Sequence, residues 1–223
     1  MTTRRRDFLG WLGGTSLLGA LGAPVSKRAD APAHPAPLDG TWDLSWADRV
    51  EKAKFRAVFD SPDLSDGDAL FRAVVWCQEY KEVYGTPRTE MAPVIVFRHR
   101  GVSLAMGDEY WKRFQIGKEK KILTPEGKKW AESNPITEPV TDASVEMDDY
   151  NITDFIAQGG TVLVCNLAFA MVVQRYKEAL KLDSAAAREA AIKGLIPGVI
   201  LQPSGIFAVL RAQEAGCKYI MAS

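Results

Sequence analysis

The chain has 223 residues, 47% of them hydrophobic, and 28 basic side chains balanced by 28 acidic ones. That balance argues against a nucleic-acid-binding protein, which carries a basic face. Two histidines, His34 and His99, are too few for a multi-histidine metal site within one chain. No Cys-x-x-Cys pair, Gly-rich phosphate loop or Gly-x-Ser-x-Gly elbow is present, so neither a metal nor a cofactor is expected.

The N-terminus speaks to compartment. Arg4-Arg5-Arg6-Asp7-Phe8-Leu9 resembles a twin-arginine export signal, with the Arg5-Arg6 pair, one spacer and two apolar residues. The Gly-rich segment from Gly10 to Ala23 is too short and too weakly apolar to span a bilayer, which needs about 20 strongly apolar residues. Lys27 to Pro37, rich in Ala and Pro, reads as a flexible linker. Residues 1–37 are therefore expected to be signal peptide and linker, and residues 38–223 an α/β domain. Cleavage is expected near Ala23 or within Ala31 to Ala36, although Pro24 disfavours a cut directly after Ala23. Periplasmic localisation follows, with membrane anchoring by an uncleaved signal as the alternative; after cleavage no stable membrane span is expected. Without the first 33 residues, 23 basic and 26 acidic side chains remain, a net charge of −3. The mature chain of about 185 residues suits one domain with a sizeable core.

After the linker, Trp42 and Trp46 share one face if Thr41 to Val50 is helical, as in a short arm packed on the domain. Phe55 to Asp60 reads as a strand, Ser61-Pro62-Asp63 breaks it, and a helix is predicted over Asp68 to Tyr84, ended by Gly85-Thr86-Pro87. Cys77 lies on its apolar side and reads as core. Pro93 to Phe97 is the second strand, followed by the charged cluster Arg98-His99-Arg100-Gly101. His99 titrates near neutrality and can serve as a base there, or the cluster can pair with acidic groups or a neighbouring subunit.

Gly107 to Gln158 is a long insertion. Asp108 to Phe114 looks helical, Gly117 to Glu138 reads as a polar surface excursion, and Val145 to Gln158 can form a helix. Asp148-Asp149 reads as a solvated acidic pair; Glu146 and Asp154 are close in sequence, but their spacing matches no named cation loop. The third strand is Thr161 to Val164, followed by Cys165 and a helix over Leu167 to Leu180. A short helix from Ala185 to Lys193, a strand over Pro197 to Leu201, a helix from Ile206 to Ala215 and a strand over Lys218 to Met221 complete the chain. Alternating strands and helices imply a five-stranded parallel sheet with helices on both faces, a flavodoxin-like three-layer sandwich. The order expected is 2-1-3-4-5, with its topological switch between strands one and three.

The Gly159-Gly160 pair followed by an apolar run places Cys165 at a strand's C-terminal end, opening a helix. There a helix N-terminus favours thiolate over thiol. A reactive thiol and a small buried apolar residue are both open readings. Cys217 precedes the last strand, at the opposite sheet end from Cys165, so no structural disulfide is expected. Asp60 at the end of strand one, Cys165, and Ser204-Gly205 after strand four should surround one crevice, with Asn166 and Ser204 as hydrogen-bond donors.

Three stretches, Gly159 to Asn166, Leu195 to Ile206 and Arg211 to Ile220, together resemble the DsrE/DsrF-like sulfur relay superfamily, and most of all its exported twin-arginine branch. The resemblance covers roughly Phe55 to Ala222 and is strongest over about the last 65 residues. It implies a DsrE/DsrF-type α/β fold, a homo-oligomer (trimer or hexamer), and a cysteine after strand three that carries persulfide sulfur, by position Cys165. The aromatic stretch Tyr110, Trp111 and Phe114 is the residue-level support for an oligomer interface. The long insertion and the lack of a second cysteine beside Cys165 depart from the pattern. Sulfane-sulfur handling, as persulfide carrier or transferase with a small sulfur species or sulfur-carrier protein as partner, is the functional expectation. A noncatalytic oligomeric small-ligand-binding module is the alternative.

Overall fold

A computed structural model describes residues 41–124, 127–138 and 150–223. The stretches read as export signal and linker, His34, Glu146 and the Asp148-Asp149 pair lie outside the described residues. In chain order the elements are α1 (Ser45–Lys52), β1 (Phe55–Ser61), α2 (Asp68–Tyr84), β2 (Met91–Phe97), a 3-10 segment (His99–Ala105), α3 (Asp108–Arg113), α4 (Ile116–Lys120) and α5 (Ile152–Ala157). There follow β3 (Thr161–Cys165), α6 (Asn166–Leu180), α7 (Ser184–Lys193), β4 (Ile200–Gln202), α8 (Gly205–Glu214) and β5 (Lys218–Met221).

All five strands are parallel, with helices packed on both faces, the three-layer α/β arrangement that the alternation of strands and helices implies. The strand order is not 2-1-3-4-5 but 4-3-2-1-5. β1 to β4 are laid down successively in one direction, and the chain then returns to place β5 on the far side of β1. Burial shows why. β2 is apolar and buried at all seven positions, as the middle strand must be, whereas β4 and β5 are short and partly exposed, as edges are. Pro93 sits in this central strand without cost to the β3 ladder, because that register begins one residue later, at Val94 and Thr161.

One sheet face, carrying Phe59, Ile95, Phe97, Val162 and Val164, packs against α2, α6, α7 and the insertion. The other, with Val58, Val94, Val96 and Leu163, receives α1 and α8. Ala208, Ala212 and Ala215 let α8 approach closely, and Trp46, fully buried, fills the space beside it. Trp42 precedes α1 rather than sharing its face.

Within the insertion, the stretch from Gly117 to Glu138 is more than a surface excursion, since Ile122, Ala131 and Ile136 are buried. Tyr110, Trp111, Ile116, Ile136 and Ile152 are all within the core, so the aromatic stretch Tyr110–Phe114 is packing inside the subunit and not an exposed interface. Asn134, fully buried, donates from Nδ2 to the carbonyls of Leu104 (2.8 Å) and Met106 (2.7 Å), tying this segment to the exit of the 3-10 segment. Buried carbonyls must be satisfied, and a side-chain amide does it here where no ladder can. No helix among the described residues is long and apolar enough to cross a membrane.

Candidate functional site

The C-terminal edge of the sheet gathers the predicted residues in the order in which the strands lie. Ser204 follows β4, Cys165 ends β3, Arg98 follows β2, and Asp60 and Ser61 end β1. In the ladders Val164 faces Phe97 and Cys165 faces Gln202, which puts Arg98 beside Cys165 at the next step. With the order 4-3-2-1-5, β1 and β3 are not neighbours, so the expected switch between them is absent, and it is β1 and β5 that meet where the chain reverses.

A charge cluster occupies that position. Asp60 is 2% exposed and receives both Nε (2.7 Å) and Nη2 (2.8 Å) of Arg98, a bidentate pair, together with the hydroxyl of Tyr219 from β5 (2.9 Å). The hydrogen bond to Asp60 raises the Arg98 guanidinium above its usual range, against the opposing effect of partial burial. The Tyr219 phenol is pushed up, first by loss of water around it and then by its bond to Asp60. With Nε and one Nη2 hydrogen committed, the Nη1 group of Arg98 makes no hydrogen bond among the described residues; its side chain is 30% exposed.

Gly205 belongs to the same arrangement. A Cβ there would meet Cβ and Cδ of Arg98 at 2.5 and 2.7 Å, so the aliphatic stem of Arg98 lies directly on the first turn of α8. Ser204 spends its hydroxyl as the N-cap of α8, accepting from the Phe207 amide at 3.0 Å.

Cys165 is the N-cap of α6: its Sγ accepts from the Ala168 amide at 3.4 Å, at the end of a 15-residue helix. A sulfur there faces the unpaired N–H groups of the first turn, the place where negative charge on it is best received. The thiol is 6% exposed, covered rather than open. Asn166, also buried, turns its Oδ1 to Nη2 of Arg188 on α7 (2.9 Å), toward the helical layer. His99 is exposed, with a left-handed backbone (φ 49°), and no hydrogen bond or ion pair joins it to Asp60, Cys165 or Ser204 among the described residues.

Sequence reasoning offered two readings of the Arg98–Arg100 cluster, His99 as a base or pairing with acidic groups; the pairing is seen, Arg98 with Asp60 and Arg100 with Asp63, while Tyr219 went unnoticed. Arg98 is the first residue after an uninterrupted apolar strand, a position aimed at the sheet's C-terminal edge, and that was its available signal. Tyr219 had none, since its partner is 159 residues away.

The other thiols are elsewhere. Cys217 precedes β5, at the opposite sheet edge, and burial pushes it up to about 12. Cys77 is half-buried on α2 rather than in the core, and burial raises it too. All three are free, so no disulfide competes for Cys165. No group of three or more potential ligand side chains that could hold a metal ion occurs among the described residues. No protein-family model, curated protein or solved structure matches the chain.

Proposed function

We propose that the protein handles sulfane sulfur through Cys165, as an exported DsrE/DsrF-like persulfide carrier or sulfur transferase. The observation that carries this reading is the position of Cys165 Sγ, at the α6 N-terminus with the Ala168 N–H at 3.4 Å and the Arg98 cation at the adjoining strand end. The Cys165 thiolate attacks the sulfane sulfur of a polysulfide or of thiosulfate. A Cys–S–S bond forms, the donor's S–S bond breaks, and the shortened polysulfide or sulfite leaves with the electron pair. The terminal sulfur of the persulfide is then an anion beside a helix N-terminus and a guanidinium, both of which stabilise it. At 6% exposure the thiol suits small donors better than a protein surface. Assembly as a trimer or hexamer is part of the proposal. Exposed apolar pairs one helical turn apart, Leu167 with Met171 on α6 and Ile206 with Leu210 on α8, support it. So are export by the twin-arginine pair and periplasmic location.

Intact mass spectrometry before and after polysulfide or thiosulfate tests the chemistry. Additions in steps of about 32 Da, one sulfur atom each, are expected on Cys165. Cys165→Ser abolishes them while keeping the fold, because serine is itself a favoured N-cap. If Cys165 stays unmodified while Cys77 or Cys217 reacts, the sulfur reading fails. The low exposure of Cys165 favours the second reading, a noncatalytic small-ligand-binding module, and that outcome would select it.

A further inference from the structure

The insertion builds a concave feature of its own, lined by none of the residues just described. A cleft of about 580 Å³ lies between α3, α4 and the paired segments 122–124 and 127–131. Its shape is fixed by several contacts. The Ile122 amide bonds to the Gly117 carbonyl (2.8 Å), Ala131 to Ile122 (2.9 Å) and Thr124 to Lys129 (2.8 Å). At Gly117 a Cβ would lie 2.1 Å from the Ala131 carbonyl oxygen, so the segment 127–131 and α4 are in backbone contact. On the other side, Glu119 clamps α4 to Arg175 of α6 (2.7 Å).

The lining combines two chemistries. Trp111 forms a wall, held by its indole N–H on the Ser103 carbonyl (2.8 Å), while Trp130 and Leu123 are 44% and 48% exposed. Around them stand Lys112, Lys118, Lys128 and Lys129, with Glu132 the one carboxylate among the described lining residues. None of the four ammonium groups makes an ion pair among the described residues. The nearby Glu119 is already committed to Arg175 and Lys120. Four cations with no ion pair among the described residues, over an apolar floor in a cleft within the size range of small-molecule sites, form a site with a sign.

We propose that this cleft binds a small organic anion with a flat apolar body, the ring seated against Trp130 and Leu123 and the charged group among the lysines. Tryptophan supplies a broad apolar face at small cost in side-chain entropy, and lysine supplies charge without demanding one bidentate geometry. The proposal is independent of Cys165.

The test is a titration of the full chain with 2-naphthalenesulfonate, followed by calorimetry and by tryptophan fluorescence. One saturable site per chain is expected. Inorganic sulfate and the neutral 2-naphthalenemethanol, each offering half of the chemistry, should bind at least about ten-fold more weakly. The double substitution Lys128→Gln/Lys129→Gln and, separately, Trp130→Ala should each weaken the probe by about ten-fold or more. These side chains are exposed, so circular dichroism should be unchanged. Lys52→Gln, an exposed lysine on α1, should leave binding as it was. Affinity should fall as salt rises from about 50 to 500 mM. Equal affinity for the neutral analogue, indifference to the lysine and tryptophan substitutions, or an equal loss with Lys52→Gln would each overturn the proposal.

Discussion

Replacing Asp60 with asparagine keeps the side chain's shape and removes its charge, so its effect can be worked out bond by bond. Asp60 accepts three hydrogen bonds, from Arg98 Nε, Arg98 Nη2 and the Tyr219 hydroxyl, with the last two on the same oxygen. Asparagine has one accepting oxygen. Its least costly orientation turns the amide nitrogen toward Nε and keeps the oxygen for Nη2 and Tyr219, so one charge-assisted bond is lost. Such a bond contributes about 1.5–3 kcal/mol. Arg98 is 30% exposed, so water takes up part of the stranded charge, and the expected loss is about 2 kcal/mol. With a urea slope of about 2 kcal/mol/M, the unfolding midpoint followed by tryptophan fluorescence falls by about 1 M. The decisive arm is the Arg98→Met background. There Asp60 is a buried carboxylate without its cation, and the same change to asparagine should become neutral or stabilising. An equal loss in both backgrounds would refute the coupling, and with it the idea that this cluster fixes Arg98 in place.

Three further outcomes are expected. Asn134→Leu strands the Leu104 and Met106 carbonyls in the core and should cost about 2–4 kcal/mol in urea unfolding, with faster amide exchange across 131–137. Glu119 is held down at about 2 by its bond to Arg175, below its usual 4.5, so the stability it contributes is complete above pH 4.5 and lost as pH falls toward 2. The stability difference between the parent and Glu119→Gln should therefore be flat from pH 8 to pH 5 and shrink on acidification, as read by melting temperature across that range. Cys217, pushed up to about 12 by burial, should resist iodoacetamide at pH 8 in the folded protein and react once denatured; labelling at the folded stage would show the β5 edge to be open.

Element by element, the sequence was informative where the physics is local. The helix over Asp68–Tyr84 and the strand over Lys218–Met221 were legible to the residue, because apolar spacing and flanking glycines set them. Strand order was not, since one connection length serves many neighbours. The clue lay in composition: Met91–Phe97 is apolar throughout and belongs in the middle, while Lys218–Met221 begins with a charge and belongs at an edge. The polar look of 117–138 hid its core contribution, because its buried Ile122, Ala131 and Ile136 follow neither helical nor strand spacing. At the site, Asp60 and Cys165 were visible as strand ends. The Arg98–Asp60–Tyr219 cluster was not, because its members come from three strands and meet across 38 and 159 residues.

The order 4-3-2-1-5 also has a consequence in time. Of the described strands β1 is made first and β5 last, yet they are neighbours. Until Lys218–Met221 has left the ribosome, β1 presents a bare edge of unpaired amides and carbonyls, its apolar Ala57 to Phe59 already in place. Such an edge is a template for another chain. Synthesis of this protein therefore passes through a window in which four strands are present and self-association competes with closure. The window shuts when Tyr219 and Ala222 reach Asp60, the one through its side chain and the other through its backbone.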